Sequence, residues 1–456
     1  MGFRLELETK AARAVGRLSR AAGRGGGTTL PGKLLWKLDP GAVDELAAGL
    51  ARGVALVSAT NGKTTTTAIA AKILGNRARL AWNRAGANLL SGIGSALLSA
   101  EDPELGLFEV DEAALPEAIV RTHPRAVLLG NLFRDQLDRY GELELVAERW
   151  RTAVASLPED AVLVVDADDP VVGDLAVARE GVLRFGIDDS RHARPSLQHA
   201  ADSKYCMRCG SPYEYKAAYV GHLGDYRCAA CGHARPALDV VARNIEFRGL
   251  WASRFRLVTH AGEVELDLAL PGLYNVYNAV GAAALSLSLG ASLSEIRTGI
   301  EDFSAAFGRF ERIGASGKTV VLLLVKNPAG ANEVLRTLEL GGIPPVLVVA
   351  LNDAIADGRD VSWIWDVDFE PLLAKAGTIV VSGGRAAELG LRLLYGGLPE
   401  DRLEVVPSLE MALDRGLELT DSRDELVVLP TYTAMLALRG ILTRRGLVSA
   451  YWEAPR

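Results

Sequence analysis

Val54-Ala-Leu-Val-Ser-Ala-Thr-Asn-Gly-Lys-Thr-Thr65 joins a short apolar run to a loop that contains glycine and lysine. The apolar run predicts a buried strand over residues 54–58, and a helix is predicted to begin at Thr64. A loop between a strand and a helix can hold phosphate oxygens with its backbone N–H groups and with the helix N-terminus. Lys63 would neutralise charge on the β- and γ-phosphates, and Thr64 would bind Mg²⁺. The predicted phosphate-binding residues are Thr60, Asn61, Gly62, Lys63, Thr64 and Thr65.

Apolar runs of the same kind alternate with helical stretches along most of the chain, which is typical of a doubly wound α/β sheet. Further strands are predicted over residues 126–129, 162–165, 319–324, 346–350, 378–381 and 426–429. The last four predict a second, smaller Rossmann-like unit. We therefore predict a helical segment over 1–47, a nucleotide-binding domain over 48–312 and a Rossmann-like domain over 313–456.

The composition is that of an ordinary globular protein, with 49% hydrophobic and 23% charged residues among 456. The net charge of −7 argues against a dedicated nucleic-acid-binding protein. Neither an apolar run long enough to span a membrane nor a signal-peptide core is found in the sequence. We expect a cytoplasmic protein.

The first 24 residues are predicted to form an amphipathic helix that ends at the glycines 25–27. Its arginines include Arg13, Arg17, Arg20 and Arg24. Two interpretations stay open: the helix packs on the main domain, or its basic residues contact the inner face of an anionic membrane. In either case the expected membrane contact is at most peripheral.

The four cysteines of the chain form two pairs, Cys206-x2-Cys209 and Cys228-x2-Cys231, within a segment of about 202–235 that interrupts the α/β pattern. This spacing is typical of a tetrahedral Zn²⁺ site, and two disulfides are the alternative. Reducing conditions in the cytoplasm favour the metal. Four protein ligands leave no open position on zinc, so we expect a structural role.

A nucleic-acid-binding zinc ribbon is a hypothesis of another class. The basic residues of this segment are Lys204, Arg208, Lys216, Arg227 and Arg235. The acidic balance of the whole chain argues against this interpretation, and salt-dependent binding to random DNA would favour it.

Six segments, in the same order along the chain, resemble motifs of the Mur ligase and folylpolyglutamate synthetase superfamily. They are Thr60-Asn-Gly-Lys-Thr-Thr65, Glu109-Val-Asp-Glu-Ala-Ala-Leu115, Asn131-Leu-Phe-Arg-Asp-Gln-Leu-Asp-Arg-Tyr-Gly141, Asp166-x-Asp168-Asp169, Gly272-Leu-Tyr-Asn-Val-Tyr-Asn278 and Gly308-Arg309. The resemblance implies a Mur-ligase central P-loop domain, here with an inserted four-cysteine zinc ribbon and a smaller Rossmann-like C-terminal domain.

The resemblance also implies roles. Glu109 would hold Mg²⁺ with Thr64, Asn275 would contact ATP, and Arg309 would contact its phosphates. Enzymes of this superfamily make an acyl phosphate from a carboxylate and ATP, and an amine then attacks it. Asn278 is expected to be a structural residue at a helix start.

This chain departs from the superfamily pattern at three positions. Ala59 replaces the usual glycine before the loop, and Ala113 stands where some members have histidine. Gln136 stands where a metal-binding histidine is common, so the resemblance leaves a second Mg²⁺ site in doubt.

Within the superfamily the chain resembles the MurT family, the synthetase subunits of lipid II isoglutaminyl synthase. The similarity lies in the cysteine segment, in Lys326-Asn-Pro-Ala-Gly-Ala-Asn332 and in residues 351–370. It implies ATP-dependent amidation of the D-glutamate α-carboxyl of the lipid II stem peptide to D-isoglutamine. Ammonia would come from a GatD-type glutaminase in a heterodimer. A stand-alone amino-acid ligase is the alternative, and the sequence does not distinguish lipid II from its soluble precursor.

A partner is also indicated by the residues themselves. A glutaminase of this type needs a cysteine nucleophile and a histidine base, and no cysteine or histidine follows His260 in this chain. The resemblance implies that Asp360 orients the histidine of the partner, with Asp353 and Asp357 as the other candidates. Trp363 and Trp365 are expected to be either interface anchors or core residues.

Candidate contacts to the peptide substrate are predicted by position in Asn83-Arg-Ala-Gly-Ala-Asn88. They are Asn83, Gly86 and Asn88.

Overall fold

In the computed structural model, the described residues are 30–83, 87–134, 143–177, 179–198, 201–303, 310–421 and 424–449. Several predictions therefore fall outside them. These are the helix over residues 1–24, the substrate contact at Gly86, the departure at Gln136 and the phosphate contact at Arg309.

A nine-stranded sheet forms the first half of the molecule. Its strands are β1 Val54–Ser58, β2 Leu80–Trp82, β3 Leu105–Glu109, β4 Ala126–Leu129, β5 Val162–Asp166, β6 Val182–Ile187, β9 Val240–Arg248, β10 Ala252–Thr259 and β11 Gly262–Leu268. Their order in the sheet is β11-β10-β9-β6-β5-β4-β1-β3-β2. The seven neighbouring strands β9, β6, β5, β4, β1, β3 and β2 pair in parallel. Strands β10 and β11 extend the sheet beyond β9 and pair in antiparallel fashion.

Residues 54–57 of strand β1 are apolar without alternation because both faces of the strand are buried. Ala55 and Val57 belong to the hydrophobic core on one face of the sheet, and Val54 and Leu56 belong to the core on the other. A parallel strand covered on both faces needs apolar side chains on both of them.

The helices of this half are α1 Leu30–Leu38, α2 Ala42–Ala48, α3 Lys63–Leu74, α4 Leu90–Ser99, α5 Leu115–Thr122, α6 Leu143–Ala155, α7 Pro170–Leu175, α8 Leu273–Ser288 and α9 Leu293–Glu301.

A two-stranded hairpin, β7 Glu214–Val220 and β8 Leu223–Arg227, leaves the main sheet between β6 and β9. It lies within the cysteine segment. Because β6 and β9 are direct neighbours in the sheet, the segment is an insertion that does not interrupt the strand order.

The second half of the molecule has a six-stranded sheet. Its strands are β12 Phe310–Ala315, β13 Lys318–Leu323, β14 Val346–Ala350, β15 Thr378–Ser382, β16 Leu403–Val405 and β17 Glu425–Pro430. The order is β12-β13-β17-β14-β15-β16, parallel except for β12. Its helices are α10 Pro328–Gly341, α11 Glu370–Leu373, α12 Ala386–Tyr395, α13 Leu409–Leu419 and α14 Tyr432–Arg444.

The two halves share one apolar core. Val334 and Leu335 of α10 belong to the same cluster of buried residues as Leu250 and Leu270 of the first half. The predicted boundary at residue 313 falls inside β12. None of the helices in the described ranges combines the length and apolar content needed to cross a membrane.

The α/β fold class is confirmed: the structure has two sheets of mainly parallel strands and an inserted segment that carries the four cysteines. The strand predicted over 319–324 runs from Lys318 to Leu323, and the one predicted over 426–429 runs from Glu425 to Pro430. No range was predicted for strands β2, β3, β6 to β12 and β16, which include the antiparallel edge strands β10 and β11.

Candidate active site and cysteine cluster

The loop between β1 and α3 begins at Ala59 and ends at Gly62. Gly62 has φ of +86°, a left-handed conformation that favours glycine. A Cβ atom at this position would lie 1.9 Å from Oδ1 of Asn278 on α8. Both the backbone and the available space therefore require glycine here.

The residues that follow β4 hold the loop in place. Asn61 donates its backbone N–H to Asn131 Oδ1 at 2.9 Å, and Asn131 Nδ2 donates to the Asn61 carbonyl at 3.2 Å. The Thr60 N–H donates to the Asn131 carbonyl at 2.7 Å, and the Phe133 N–H donates to Thr60 Oγ1 at 3.0 Å. The motif resemblance included Asn131 but did not indicate this function.

Lys63 opens α3 and is buried in an ion pair with Glu112. Its Nζ lies 2.8 Å from Glu112 Oε2 and also donates to the Ala59 carbonyl. Burial is the largest single influence and would lower the pKa of the Lys63 ammonium, but the nearby carboxylates of Glu112, Glu109 and Asp111 together outweigh it and the pKa is raised. Burial would likewise raise the pKa of Glu112, whereas Lys63 holds it below its usual value. The lysine is therefore charged.

Thr64 and Glu109 meet as the resemblance implies. Thr64 Oγ1 donates to Glu109 Oε2 at 2.8 Å across the neighbouring ends of β1 and β3. The backbone of Glu109 is held by the Asn83 side chain, which accepts from its N–H at 2.8 Å and donates to its carbonyl at 2.7 Å. A hydroxyl and a carboxylate oxygen are ligands that Mg²⁺ accepts.

Beside the loop lies a cleft of about 910 Å³ that both halves of the molecule line. Asn61 and Gly62 of the loop and Thr65 of α3 line it, together with the charged side chains of Lys326 and Glu333. The apolar residues that line it include Phe133, Val220, Leu223, Tyr274, Phe310 and Val334. A cleft with polar groups beside the loop and a largely apolar lining suits a nucleotide, whose phosphates and base differ in the same way.

Asparagines connect the cleft to the loop. Asn275 donates to the Pro271 carbonyl at 2.7 Å, and Asn278 Nδ2 donates to Asn275 Oδ1 at 3.2 Å. From the second half of the molecule, Asn327 Nδ2 donates to Asn61 Oδ1 at 2.9 Å. Asn275 and Asn278 both line the cleft.

The four cysteines come together at the base of the β7–β8 hairpin. Their sulfur atoms all lie within 4.8 Å of one another, and Cys206–Cys231 and Cys209–Cys228 are each 3.5 Å apart. Zn–S bonds of about 2.3 Å in a tetrahedron give sulfur separations of about 3.8 Å, so the residues fit zinc.

Two similar turns shape the cysteine cluster. Gly210 and Gly232 each follow the second cysteine of a pair and have φ of +74° and +78°. The N–H of each glycine donates to the carbonyl of the first cysteine in its pair. Hydrogen bonds from the backbone and side chain of Ser211 lower the pKa of Cys209 to about 6, whereas the neighbouring thiols help to raise the pKa of Cys231 to about 12.

Three aspartates of the segment 351–370 differ in their surroundings. Asp357 is buried and bonded to the Thr433 side chain and N–H, and Asp353 pairs with Arg385 at 2.9 Å. Asp360 is exposed and accepts from the Ser362 N–H at 2.8 Å. This hydrogen bond lowers the pKa of Asp360. Asp360 is therefore the most accessible of the three carboxylates.

Two of the predicted substrate contacts, Asn83 and Asn88, make hydrogen bonds within the chain. Asn83 is buried against Glu109, and the Asn88 carbonyl accepts from the Asp111 N–H at 2.9 Å. Glu112 and Asn327 lie beside the loop although the sequence analysis assigned them no role. Glu112 is the third acid of the quoted Glu109 segment, after Glu109 and Asp111, and this cluster of acids was the available signal for its position but not for its pairing with Lys63.

Comparison with known proteins identifies the family. A model described as Mur ligase middle domain matches residues 57–229, and one described as MurT ligase C-terminal matches residues 324–435. The chain is 33% identical over 430 residues to the protein named lipid II isoglutaminyl synthase (glutamine-hydrolyzing) subunit MurT of Streptococcus pneumoniae, covering 93% of this chain and 94% of that protein.

The chain belongs to the MurT family. The protein with the same name in Staphylococcus aureus is 31% identical and covers 96% of each chain. Among solved structures, a pseudomurein peptide ligase type C from Methanothermus fervidus is similar, with a TM-score of 0.68 and 20% identity over 86% of this chain and 78% of that one. The last similarity shows that this chain shares its fold with that ligase.

Replacing Cys206 with serine should remove bound zinc and lower the melting temperature, because a tetrahedral site needs all four ligands. Metal content by mass spectrometry and thermal unfolding measure both effects. The Met207→Ala variant changes an exposed neighbour and should retain zinc and stability. A C206S protein that is free of zinc, equally stable and active would contradict a structural metal site.

Proposed function

We propose that this chain is the ATP-dependent synthetase subunit of a lipid II isoglutaminyl synthase. It would activate the α-carboxyl of D-glutamate in the stem peptide and transfer ammonia to it. The observation that supports this most directly is the convergence of Lys63, Thr64 and Glu109 at the start of α3, beside a cleft suited to a nucleotide. The names of the relatives supply the substrate class.

In this proposal the chain positions the γ-phosphate of ATP for attack by the substrate carboxylate. The loop N–H groups and the α3 N-terminus bind phosphate oxygens, and Lys63 offsets their charge. Thr64 and Glu109 would hold Mg²⁺, which supplies further charge stabilisation. Arg309 remains a proposed phosphate contact by resemblance. The carboxylate gains the phosphoryl group, ADP leaves, and ammonia displaces phosphate to form the amide.

The nucleotide would lie with its base in the apolar part of the cleft. Asn275 is the proposed contact for the nucleoside, since it lines the cleft from the start of α8. The cysteine cluster would hold Zn²⁺ as a structural ion, because four thiolates complete its coordination.

The proposed partner is a GatD-type glutaminase that binds the second half of the chain. Several large apolar side chains are exposed there, including Ile355 at 74%, Trp365 at 50% and Tyr395 at 76%. Trp365 packs edge-on against Tyr395 with ring centroids 5.9 Å apart. Aromatic anchors of this kind are typical of interfaces. Trp363, by contrast, is partly buried against the core.

Asp360 is the proposed residue that orients the histidine of the partner. Asp353 and Asp357 are both engaged within this chain, whereas the Asp360 carboxylate is exposed. We further propose a cytoplasmic location with at most peripheral contact with the membrane that carries lipid II, and no nucleic-acid partner.

The test is amidation of lipid II with ATP and Mg²⁺, comparing ammonium with glutamine, with and without a candidate glutaminase. Product from ammonium alone, and from glutamine only with the glutaminase, would support the proposal. Incorporation of an amino acid without amidation would show a stand-alone ligase. A parallel reaction with the soluble nucleotide precursor identifies the preferred substrate.

Replacing Lys63 with alanine should lower ATP-dependent amidation by about 100-fold or more, because a cation at the transferring phosphoryl group is lost. Binding of the glutaminase, measured by size-exclusion chromatography, should be unchanged. Lys72→Ala is the matched control, since Lys72 is exposed on the same helix.

The Lys63 variant leaves the Glu112 carboxylate buried without its cation, which lowers stability. The double variant K63A/E112A removes this cost and should be equally inactive. Amidation at the wild-type rate by either folded variant would contradict the assigned role of Lys63.

Glu109→Gln should raise the Mg²⁺ concentration needed for half-maximal amidation by about tenfold, because an amide oxygen is a weaker ligand than a carboxylate. The titration is compared with Glu117→Gln, an exposed acid on α5. An unchanged Mg²⁺ requirement in a folded E109Q protein would show that Glu109 is not a metal ligand.

Asp360→Asn should lower glutamine-driven amidation by about 100-fold while ammonium-driven amidation stays near the wild-type rate, because only the glutaminase triad is affected. Asp353→Asn is the control from the same segment. Equal loss with both nitrogen sources would contradict the role of Asp360, and selective loss in D353N instead would transfer the role to Asp353.

A further inference from the structure

We propose that the tip of the β7–β8 hairpin, residues 220–223, is a wall of the nucleotide cleft that contacts the base, so that the cysteine cluster affects nucleotide binding through it. This inference rests on the proposed function, because it takes a nucleotide as the occupant of the cleft. It assigns to the inserted segment a task in substrate binding beyond structural support.

The tip contributes two side chains to the cleft. Val220 ends β7 and Leu223 begins β8, and both line the same cavity as the loop residues Asn61 and Gly62. Both are apolar and have little exposure to solvent, 6% and 1%. Apolar side chains suit the flat face of a nucleotide base better than its phosphates.

The tip is tied to the phosphate-binding loop. The His222 ring lies 4.5 Å from the Phe133 ring, and Phe133 bonds through its backbone to Thr60 of the loop. His222 Nδ1 accepts from the Asp202 N–H, so its Nε2 carries the proton and donates to Asp169 at 3.3 Å. The tip and the loop therefore hold fixed positions relative to each other.

The tip is also tied to the second half of the molecule. Arg336 on α10 donates to the carbonyls of Tyr219 and His192 at 2.7 and 2.6 Å. The same helix contributes Val334 to the cleft. The hairpin thus joins the two halves that line the nucleotide site.

At the other end, the hairpin is continuous with the cysteine cluster. Cys228 follows β8 directly, and Tyr226 of β8 is buried with Cys206, Cys228 and Tyr213. Five residues of strand span about 17 Å, which connects the cluster to the tip. An isolated two-stranded hairpin is only marginally stable in water. A metal held by the four thiolates would therefore stabilise the hairpin and the position of its tip.

The decisive experiment is calorimetric titration of the full chain with Mg²⁺ and a non-hydrolysable ATP analogue. Leu223→Ala should weaken binding about tenfold, equal to about 1.4 kcal/mol. Leu223→Met keeps the volume and should restore binding to near the wild-type value. Met207→Ala, at the exposed end of the segment, should bind like wild type, and all three variants should retain zinc.

Two further titrations separate a contact to the base from a general structural defect. Binding of Mg²⁺-tripolyphosphate, which has no base, should be unchanged in L223A. Removal of zinc with a chelator should weaken binding of the ATP analogue to the wild-type protein. The effect should be smaller in L223A, because this variant already lacks the contact that the hairpin tip makes with the base.

The possible failures are distinguishable. If wild type does not bind the analogue, the proposed function is wrong. If wild type binds and zinc-loaded L223A binds equally well, or loses tripolyphosphate to the same extent, the inference about the tip is wrong while the proposed function stands. If L223A does not fold, Val220→Ala, a smaller deletion on the same wall, decides by the same comparison.

Discussion

The left-handed turn at Gly62 is the constraint on which the site depends. It turns the chain from the central strand β1 into α3, and the Asn278 side chain occupies the space that a Cβ would need. Because β1 lies between β3 and β4, the ends of these strands meet the loop at one edge of the sheet. Glu109 at the end of β3 therefore lies beside the loop and accepts a hydrogen bond from Thr64. Asn131, which follows β4, accepts one from the loop backbone at Asn61.

The ion pair between Lys63 and Glu112 shows how the chain keeps a buried cation ready for an anion. A lysine buried without a partner would lose its proton, whereas Glu112 keeps it charged. A buried pair with one carboxylate adds little to stability, since desolvation offsets most of the attraction. Under the proposed function, an incoming phosphate would compete with Glu112 for the same ammonium, and Lys326 would compensate part of the Glu112 charge.

Seven strands, the strand-loop-helix unit at Gly62 and the clustering of the cysteines could be predicted from the sequence because each has a local pattern. Residues 54–57 are apolar at every position, and the cysteine spacing alone predicts four convergent thiolates. The partner of Lys63 could not be predicted in this way, because Glu112 is 49 residues away and meets it only through the order of the strands. The strands β9–β11 were missed because their exposed faces carry many charged residues. The hydrogen bonds of Asn83 with the Glu109 backbone could not be predicted for a similar reason, since they depend on β2 lying beside β3.

The state of Asp360 favours a function outside this chain. The Asp360 carboxylate is exposed, and its hydrogen bond with the Ser362 N–H occupies one oxygen. That bond lowers the pKa of Asp360, so the group is ionised at neutral pH and can still accept through its other oxygen. An ionised, oriented acceptor is what a histidine base needs to keep its proton on the correct nitrogen. Under the proposed function, the exposed aromatic side chains Trp365 and Tyr395 would supply the binding energy that brings such a histidine to Asp360.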